Sequence, residues 1–344
     1  MIISTPYESV TSNSARYTAY NKIVITSQPS NQVGIPNDTH VYQVAANYAV
    51  SYSWQVADAA GGPWTDIGES STNVGVKTNT LTRNLVGQAV GTKWFRCIIT
   101  NQVGNLASNA VSEITYANIT VTTQPSNKDI LVGTSASVAC AFAGASSYQW
   151  QKLVNSAWTN VANGSGISGA TTNTITINGA AATTDHYRCV GSNPATSLAT
   201  NSVAVTIRNA VAITTQPASV AATLNQSKTM TVVATSATSY QWQYLSGSTW
   251  ANLTNGTNES GVTTATLTIA GRSAAGATQY RCVCSNPVSS LASNAATFTA
   301  YANVIINTHP SGPVSLINTS FTMSCVATNA TAYQWQTLVG STWT

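Results

Sequence analysis

A unit of about ninety residues recurs along the chain, and five markers hold its register. Thr-x-Gln-Pro stands at Thr26–Pro29, Thr122–Pro125 and Thr214–Pro217, with the variant Asn307-Thr308-His309-Pro310. Aromatic-x-Trp-Gln stands at Tyr52–Gln55, Tyr148–Gln151, Tyr240–Gln243 and Tyr333–Gln336. The prolines of the first marker and the tryptophans of the second both step by 96, 92 and 93 residues. A further tryptophan follows each time, at Trp64, Trp158, Trp250 and Trp343. Aromatic-Arg-Cys comes next, as Phe95-Arg96-Cys97, Tyr187-Arg188-Cys189 and Tyr280-Arg281-Cys282. Leu106 with Asn109, Leu198 with Asn201 and Leu291 with Asn294 close the complete units.

A solenoid repeat is roughly 20–45 residues, so a unit of this length is an autonomous domain. The register divides the chain into an N-terminal arm (1–20), a divergent first domain (21–116), a second (117–208), a third (209–301) and a partial fourth (302–344). No Gly/Ser- or Pro-rich linker separates them, so a fairly stiff extended array is expected. Within each unit apolar and polar residues alternate, as in Thr174–Asn178 and Thr264–Ile269. Period-two alternation puts one face of a strand in a core and the other in water. Turn signals such as Asn163-Gly164, Asn255-Gly256 and Asn193-Pro194 recur between these runs. Many short strands with frequent turns predict an all-β sandwich or barrel.

Composition narrows the function classes. Charged residues are 6% of the 344 and hydrophobic residues 43%, against roughly 25% charged in an average globular chain. Nine Trp and fourteen Tyr argue for a folded chain, because disorder goes with high charge and few aromatics. The net charge of +4 is spread thinly and no three basic residues adjoin, so no nucleic-acid partner is expected. No run approaches the ~18 apolar residues of a membrane span. MIISTPYESV has neither a basic nor an apolar signal region, so the usual export route is not expected if Met1 is the true start.

These residues resemble the immunoglobulin fold. In the second unit Cys140 precedes Trp150 by ten residues and Cys189 follows it by 39, the Cys…Trp…Cys order of that fold. Tyr187, and equally Tyr280, sits two residues before a cysteine, where the fold places its tyrosine corner. The resemblance implies tandem immunoglobulin-like sandwiches, three complete and a fourth truncated. It puts Cys140 on strand B, Trp150 on strand C and Cys189 on strand F. It makes Cys140 and Cys189 a disulfide candidate within bridging distance, one that a reducing cytosol would leave open. Trp54, Trp150, Trp242 and Trp335, with Tyr187 and Tyr280, become core markers. The first and third units carry Val44 and Val232 where the first cysteine belongs, and Phe95 and Arg83 set the first unit apart. The pattern TTQP…SYQWQ…STWTN…YRCV…SNP is similar to modules of tailed-phage virion proteins and bacterial surface proteins.

No residue set supports catalysis, a metal or a cofactor. His40, His186 and His309 stand in different units, without zinc spacing. Asp185-His186 lacks a positioned nucleophile and reads as a turn. Cys282 and Cys284 share one face of a strand and read as apolar-behaving thiols rather than a redox pair. The nine Asp and Glu are too dispersed for calcium. The second tryptophans read as core or inter-sheet packing, with a sugar-stacking platform as the alternative. Arg96, Arg188 and Arg281 should point outward to solvent. Ile2, Ile3, Tyr7, Tyr17 and Tyr20 belong either to a frayed tail or to a docking arm that adds a strand to a neighbour's sheet.

The function expected is non-enzymatic: a virion accessory protein (head decoration, head fibre or tail-associated fibre) on the virion surface. Its partners would be capsid or tail proteins, met through the arm or the first domain, with a host-surface glycan or protein as a further partner. The alternative is a bacterial cell-surface adhesin or glycan-binding stalk. An enzyme would need a catalytic domain outside these residues.

Overall fold

The computed structural model describes residues 1–312 and 314–344, and no helix occurs among them. The chain divides into two compact units, one of Met1–Lys128, Ser137–Ile177 and Asp185–Val205, the other of Asp129–Ala136, Asn178–Thr184 and Thr206–Thr344. The fold is immunoglobulin-like, with β-sandwiches in tandem.

The first repeat shows the pattern. One sheet runs Gln32–Gly34, Val111–Thr115, Gly91–Asn101, Ser51–Ala57, Thr65–Asp66, with Gly104–Ala107 also paired to Gly91–Asn101. The facing sheet runs Thr39–Gln43, Thr80–Asn84, Asn73–Val74. Gln32–Gly34 joins its neighbour in parallel, whereas Ser51–Ala57 joins Gly91–Asn101 antiparallel. The alternation legible in the sequence is the alternation of burial: along Thr39–Gln43, His40 and Tyr42 are buried while Val41 is half-exposed. Tyr42, Trp54, Leu81, Phe95, Cys97 and Ile99 fill the space between the sheets.

The third repeat is built alike, from Val220–Thr223, Ala296–Tyr301, Gly276–Asn286, Ser239–Ser246 and Thr249–Asn252 facing Lys228–Thr231, Thr266–Ile269 and Glu259–Ser260. In the second, Ser147–Val154 pairs with Thr183–Ser192 and with Ala157–Asn160, and Ile167–Ser168 pairs with Thr174–Asn178. Trp54 faces Cys97 in register, Trp150 faces Cys189 and Trp242 faces Cys282. These three indoles have no solvent exposure. Burying a ring of that size removes roughly 150–250 Å² from water, about 4–6 kcal/mol at ~25 cal/mol per Å².

Hydrogen bonds explain why the markers repeat. Each buried indole donates Nε1–H across the sandwich to a threonine carbonyl, Thr78, Thr172 or Thr264, at 2.9–3.0 Å. That threonine sits in a turn opened by Gly75, Gly169 or Gly261, at φ +81°, +76° and +73°. A Cβ there would lie 2.4, 2.1 or 2.4 Å from the carbonyl oxygen of Thr80, Thr174 or Thr266, so only glycine fits. This Gly-x-x-Thr turn is a sixth marker that the sequence reading missed. The glutamine of Thr-x-Gln-Pro accepts from the backbone N–H of the closing asparagine, Gln28 from Asn109, Gln124 from Asn201 and Gln216 from Asn294, at 2.8–2.9 Å. First and last markers of a repeat are thereby tied together.

The fourth repeat corrects one expectation. Trp335 is 51% exposed and is not a core residue. Ile305–Thr308 pairs with Val326–Thr328, and Leu338–Val339 with Thr342–Trp343. Residues 302–344 contain no aromatic-Arg-Cys strand and no Gly-x-x-Thr turn, the two elements that cover the indole in the other repeats.

Candidate functional site

The residues singled out in the sequence fall into five groups. Cys140, whose Sγ–H donates to the Asn173 carbonyl oxygen at 3.7 Å, and Cys189 are buried, unbridged thiols that interact with each other. That interaction holds the Cys189 thiol far above its ordinary range, with burial adding to the effect, and lowers Cys140. Burial pushes Cys97 up to about 11, and burial with its neighbour Cys284 pushes Cys282 up to about 12. Cys282 and Cys284 both face the core. Cys97 and Cys282, so raised, stay protonated at neutral pH and are not poised as nucleophiles.

The second tryptophans lie elsewhere than expected. Trp64, Trp158 and Trp250 are half-buried rather than core, and each carries an arginine over its ring. Arg96, Arg188 and Arg281 sit 4.4–4.5 Å from the ring centroids. Their Nε–H groups donate to Gln55, Gln151 and Gln243 at 2.8–2.9 Å. Those glutamines donate in turn to Asp66, Asn160 and Asn252. The physical reason is alternation: a residue next to a core cysteine on a strand points to the outer face, and there the guanidinium finds the ring's electron-rich face. The glutamine of Tyr-x-Trp-Gln is therefore part of an outer-face ladder that pins the following hairpin.

The first repeat differs most. Arg83 replaces Ile177 and Ile269 of its siblings yet remains buried. Glu113, at the register of Val205 and Phe298, takes its charge. Arg83 Nε and Nη2 donate to the two Glu113 carboxylate oxygens at 3.0 and 3.1 Å, and Tyr42 donates to Oε2 at 3.0 Å. His40 Nδ1 lies 3.3 Å from the same oxygen. Burial and the Glu113 charge push the Tyr42 hydroxyl well above its ordinary range. His40 Nε2 is buried without a partner among the described residues. The guanidinium also lies 4.6 Å from the Phe95 ring centroid, and Tyr42 stacks on Phe95. The cluster is enclosed, so it serves the fold of this repeat rather than a reaction.

The tyrosine markers are both buried, in different surroundings. The Tyr280 hydroxyl bonds side chains, receiving from Arg272 at 2.7 Å and donating to Glu259 at 3.2 Å. Burial pushes Tyr187 up to about 12, with Asp185 adding to it. Asp185 pairs with Lys152 at 2.9 Å, and His186 and His309 are exposed.

The N-terminal arm is a hairpin. Ile2–Ser4 pairs antiparallel with Ser9–Thr11, Ile3 opposite Val10. Ile2 is 67% exposed and Tyr7, at its turn, 98%. Ile3, Tyr17 and Tyr20 are exposed as well.

No protein-family model matches the chain, and no curated protein matches it. Solved structures do. The I-band fragment I67–I69 from titin superposes with a TM-score of 0.54 at 12% identity, covering 83% of this chain and 100% of that one. An E-to-A variant of the same three immunoglobulin domains gives 0.52 at 13% identity, covering 81% and 99%. At such identities the likeness is one of fold: immunoglobulin-like domains in tandem.

Proposed function

We propose that this chain is a non-enzymatic structural and adhesive protein, carried as an accessory on a tailed-phage virion and attached through residues 1–20. The observation that supports this most is the N-terminal hairpin. A two-strand ribbon whose Ile2, Ile3, Val10 and Tyr7 are all exposed has the form of an arm that extends another protein's sheet. A ribbon of that size is marginal by itself in water. The sandwiches that follow, 21–116, 117–208 and 209–301, then act as successive folding units presented at the particle surface. The sparse charge, the richness in Thr, Ser and Asn and the wording of the repeats favour the same reading.

The test is cryo-microscopy of virions from the phage encoding this chain, with and without residues 1–20. The reading expects density for the sandwiches on head or tail, lost on deletion of the arm. Virions lacking that density in both cases overturn it. Finding the protein on bacterial cells instead establishes the adhesin alternative.

A further inference from the structure

The third repeat holds a cleft of about 420 Å³, within the ~300–1,000 Å³ range of small-molecule sites. Tyr244, Asn258, Glu259, Arg272, Thr278 and Tyr280 line it. At its base Arg272 Nη2 donates to Glu259 Oε1 and to the Tyr280 hydroxyl. The side chains of the pair keep 22% and 15% of their exposure, so the pair opens to the cleft. Arg272 Nε and Nη1, Glu259 Oε2, the Tyr244 hydroxyl and the Asn258 amide make no hydrogen bond among the described residues.

The sibling repeats serve as controls written into the same chain. Glu259 stands opposite Ile269, as Ile167 stands opposite Ile177 and Asn73 opposite Arg83. Arg272 corresponds to Ala180 and Val86, and Tyr244 to Lys152 and Val56. In the second repeat Lys152 and Asp185, at the places of Tyr244 and Thr278, form an ion pair across the same ground. Glu259, Arg272, Tyr244 and Thr278 all differ from their counterparts in the second repeat, and the four changes converge on one cleft.

We infer that this cleft binds a neutral saccharide. The carboxylate and guanidinium cancel, so an anionic ligand meets Glu259 and a cationic one meets Arg272, each at a desolvation cost. Vicinal hydroxyls both donate and accept: Glu259 Oε2 accepts from one, and Arg272 Nε and Nη1 donate to its neighbour. Asn258 and Thr278 supply further amide and hydroxyl partners, and half-buried Tyr244 supplies an aromatic wall for the sugar's C–H face. This deepens the adhesive reading by giving it a ligand class, and it rests on the adhesive part of that reading alone.

The probes are the methyl glycosides of glucose, galactose, mannose, N-acetylglucosamine, N-acetylgalactosamine and fucose, titrated into the whole chain by calorimetry and NMR. At least one binds saturably, with a Kd on the order of millimolar, as suits a small ligand in an open site. The matching uronate and amino sugar bind about tenfold more weakly. The double substitution Tyr244→Lys with Thr278→Asp imports the ion pair that the second repeat already accommodates, and binding falls by about tenfold or more. The exposed rim change Asn258→Ala weakens binding with the fold intact by circular dichroism. The inference is overturned if none of the six binds, if the charged sugars bind more tightly, or if both variants bind as the parent does. Hairpin docking is not read in this experiment, so loss of the virion reading leaves its outcome standing.

Discussion

Arg83 and Glu113 face each other between the two sheets of the first repeat as a bidentate pair, Nε and Nη2 on the two carboxylate oxygens at 3.0 and 3.1 Å. Their siblings at those registers, Ile177 with Val205 and Ile269 with Phe298, are apolar. Removing one partner of a buried pair strands the other, at a cost of about 3–5 kcal/mol, whereas an apolar pair of similar volume is often neutral or stabilising. Arg83→Ile alone should therefore lower the unfolding free energy of the first repeat by about that amount. Arg83→Ile combined with Glu113→Val should recover only part of it, because the buried Tyr42 hydroxyl and His40 then lose their carboxylate partner. Urea unfolding of the two variants distinguishes them; equal losses would show that the pair's charges are not coupled.

The buried thiols set an alkaline limit. Cys97 and Cys282 titrate near 9.0 in an unfolded chain and are pushed up to about 11 and about 12 in the fold. Over that window the folded state holds protons that the unfolded state has lost, so stability falls as pH rises. It is fully present below pH 9.0 and is lost progressively toward about 11 and 12. Denaturation midpoints measured from pH 8 upward should fall across this window, and Cys97→Val should flatten the part due to the first repeat.

Cys140 and Cys189 interact as thiols. Mild oxidation should close a bridge across two strands. A loop of that length should raise the stability of the second repeat by ~4 kcal/mol in the chain-entropy account. A mass gain of two hydrogens on reduction, with a fall in the Tm of that repeat, is the expected result. The first and third repeats, with Val44 and Val232 at the partner position, should be unaffected.

Gly169 is the sharpest backbone test. It sits at φ +76° with the Thr174 carbonyl oxygen 2.1 Å from where a Cβ would stand. Gly169→Ala should cost about 1–3 kcal/mol from the left-handed backbone and more from displacing the carbonyl turn that receives Trp150. Thermal unfolding reads this directly, with Gly133→Ala as the comparison, since Gly133 has open space around it and a similar φ of +86°.

Much of this was legible in the chain and some was not, for physical reasons. Sandwich folding is written in period-two alternation and in large apolar residues at fixed register, because one indole per repeat must be enclosed. Tyr52, Trp54 and Gln55 carry that information within four positions. What escaped was relational. Trp64, Trp158 and Trp250 looked like core because one recurs soon after each buried indole, but each is held by an arginine two strands away across the sheet and not by burial. Arg83 stood out in sequence whereas Glu113, thirty residues on, did not, since nothing in one dimension pairs them. Glu259 and Arg272 join at one cleft only after two strands and a turn have formed. Trp335 has the motif of a core residue without the strands that make a core.

Three indoles are locked between facing sheets, each donating to a carbonyl across the sandwich. Hydrogen exchange of the nine indole N–H groups, followed by NMR, tests this arrangement most directly. Trp54, Trp150 and Trp242, bonded to Thr78, Thr172 and Thr264, should exchange only through unfolding of their repeats, while exposed Trp335 and Trp343 exchange at once. Nine fast-exchanging indoles, or protection of Trp335 equal to that of Trp150, would contradict it.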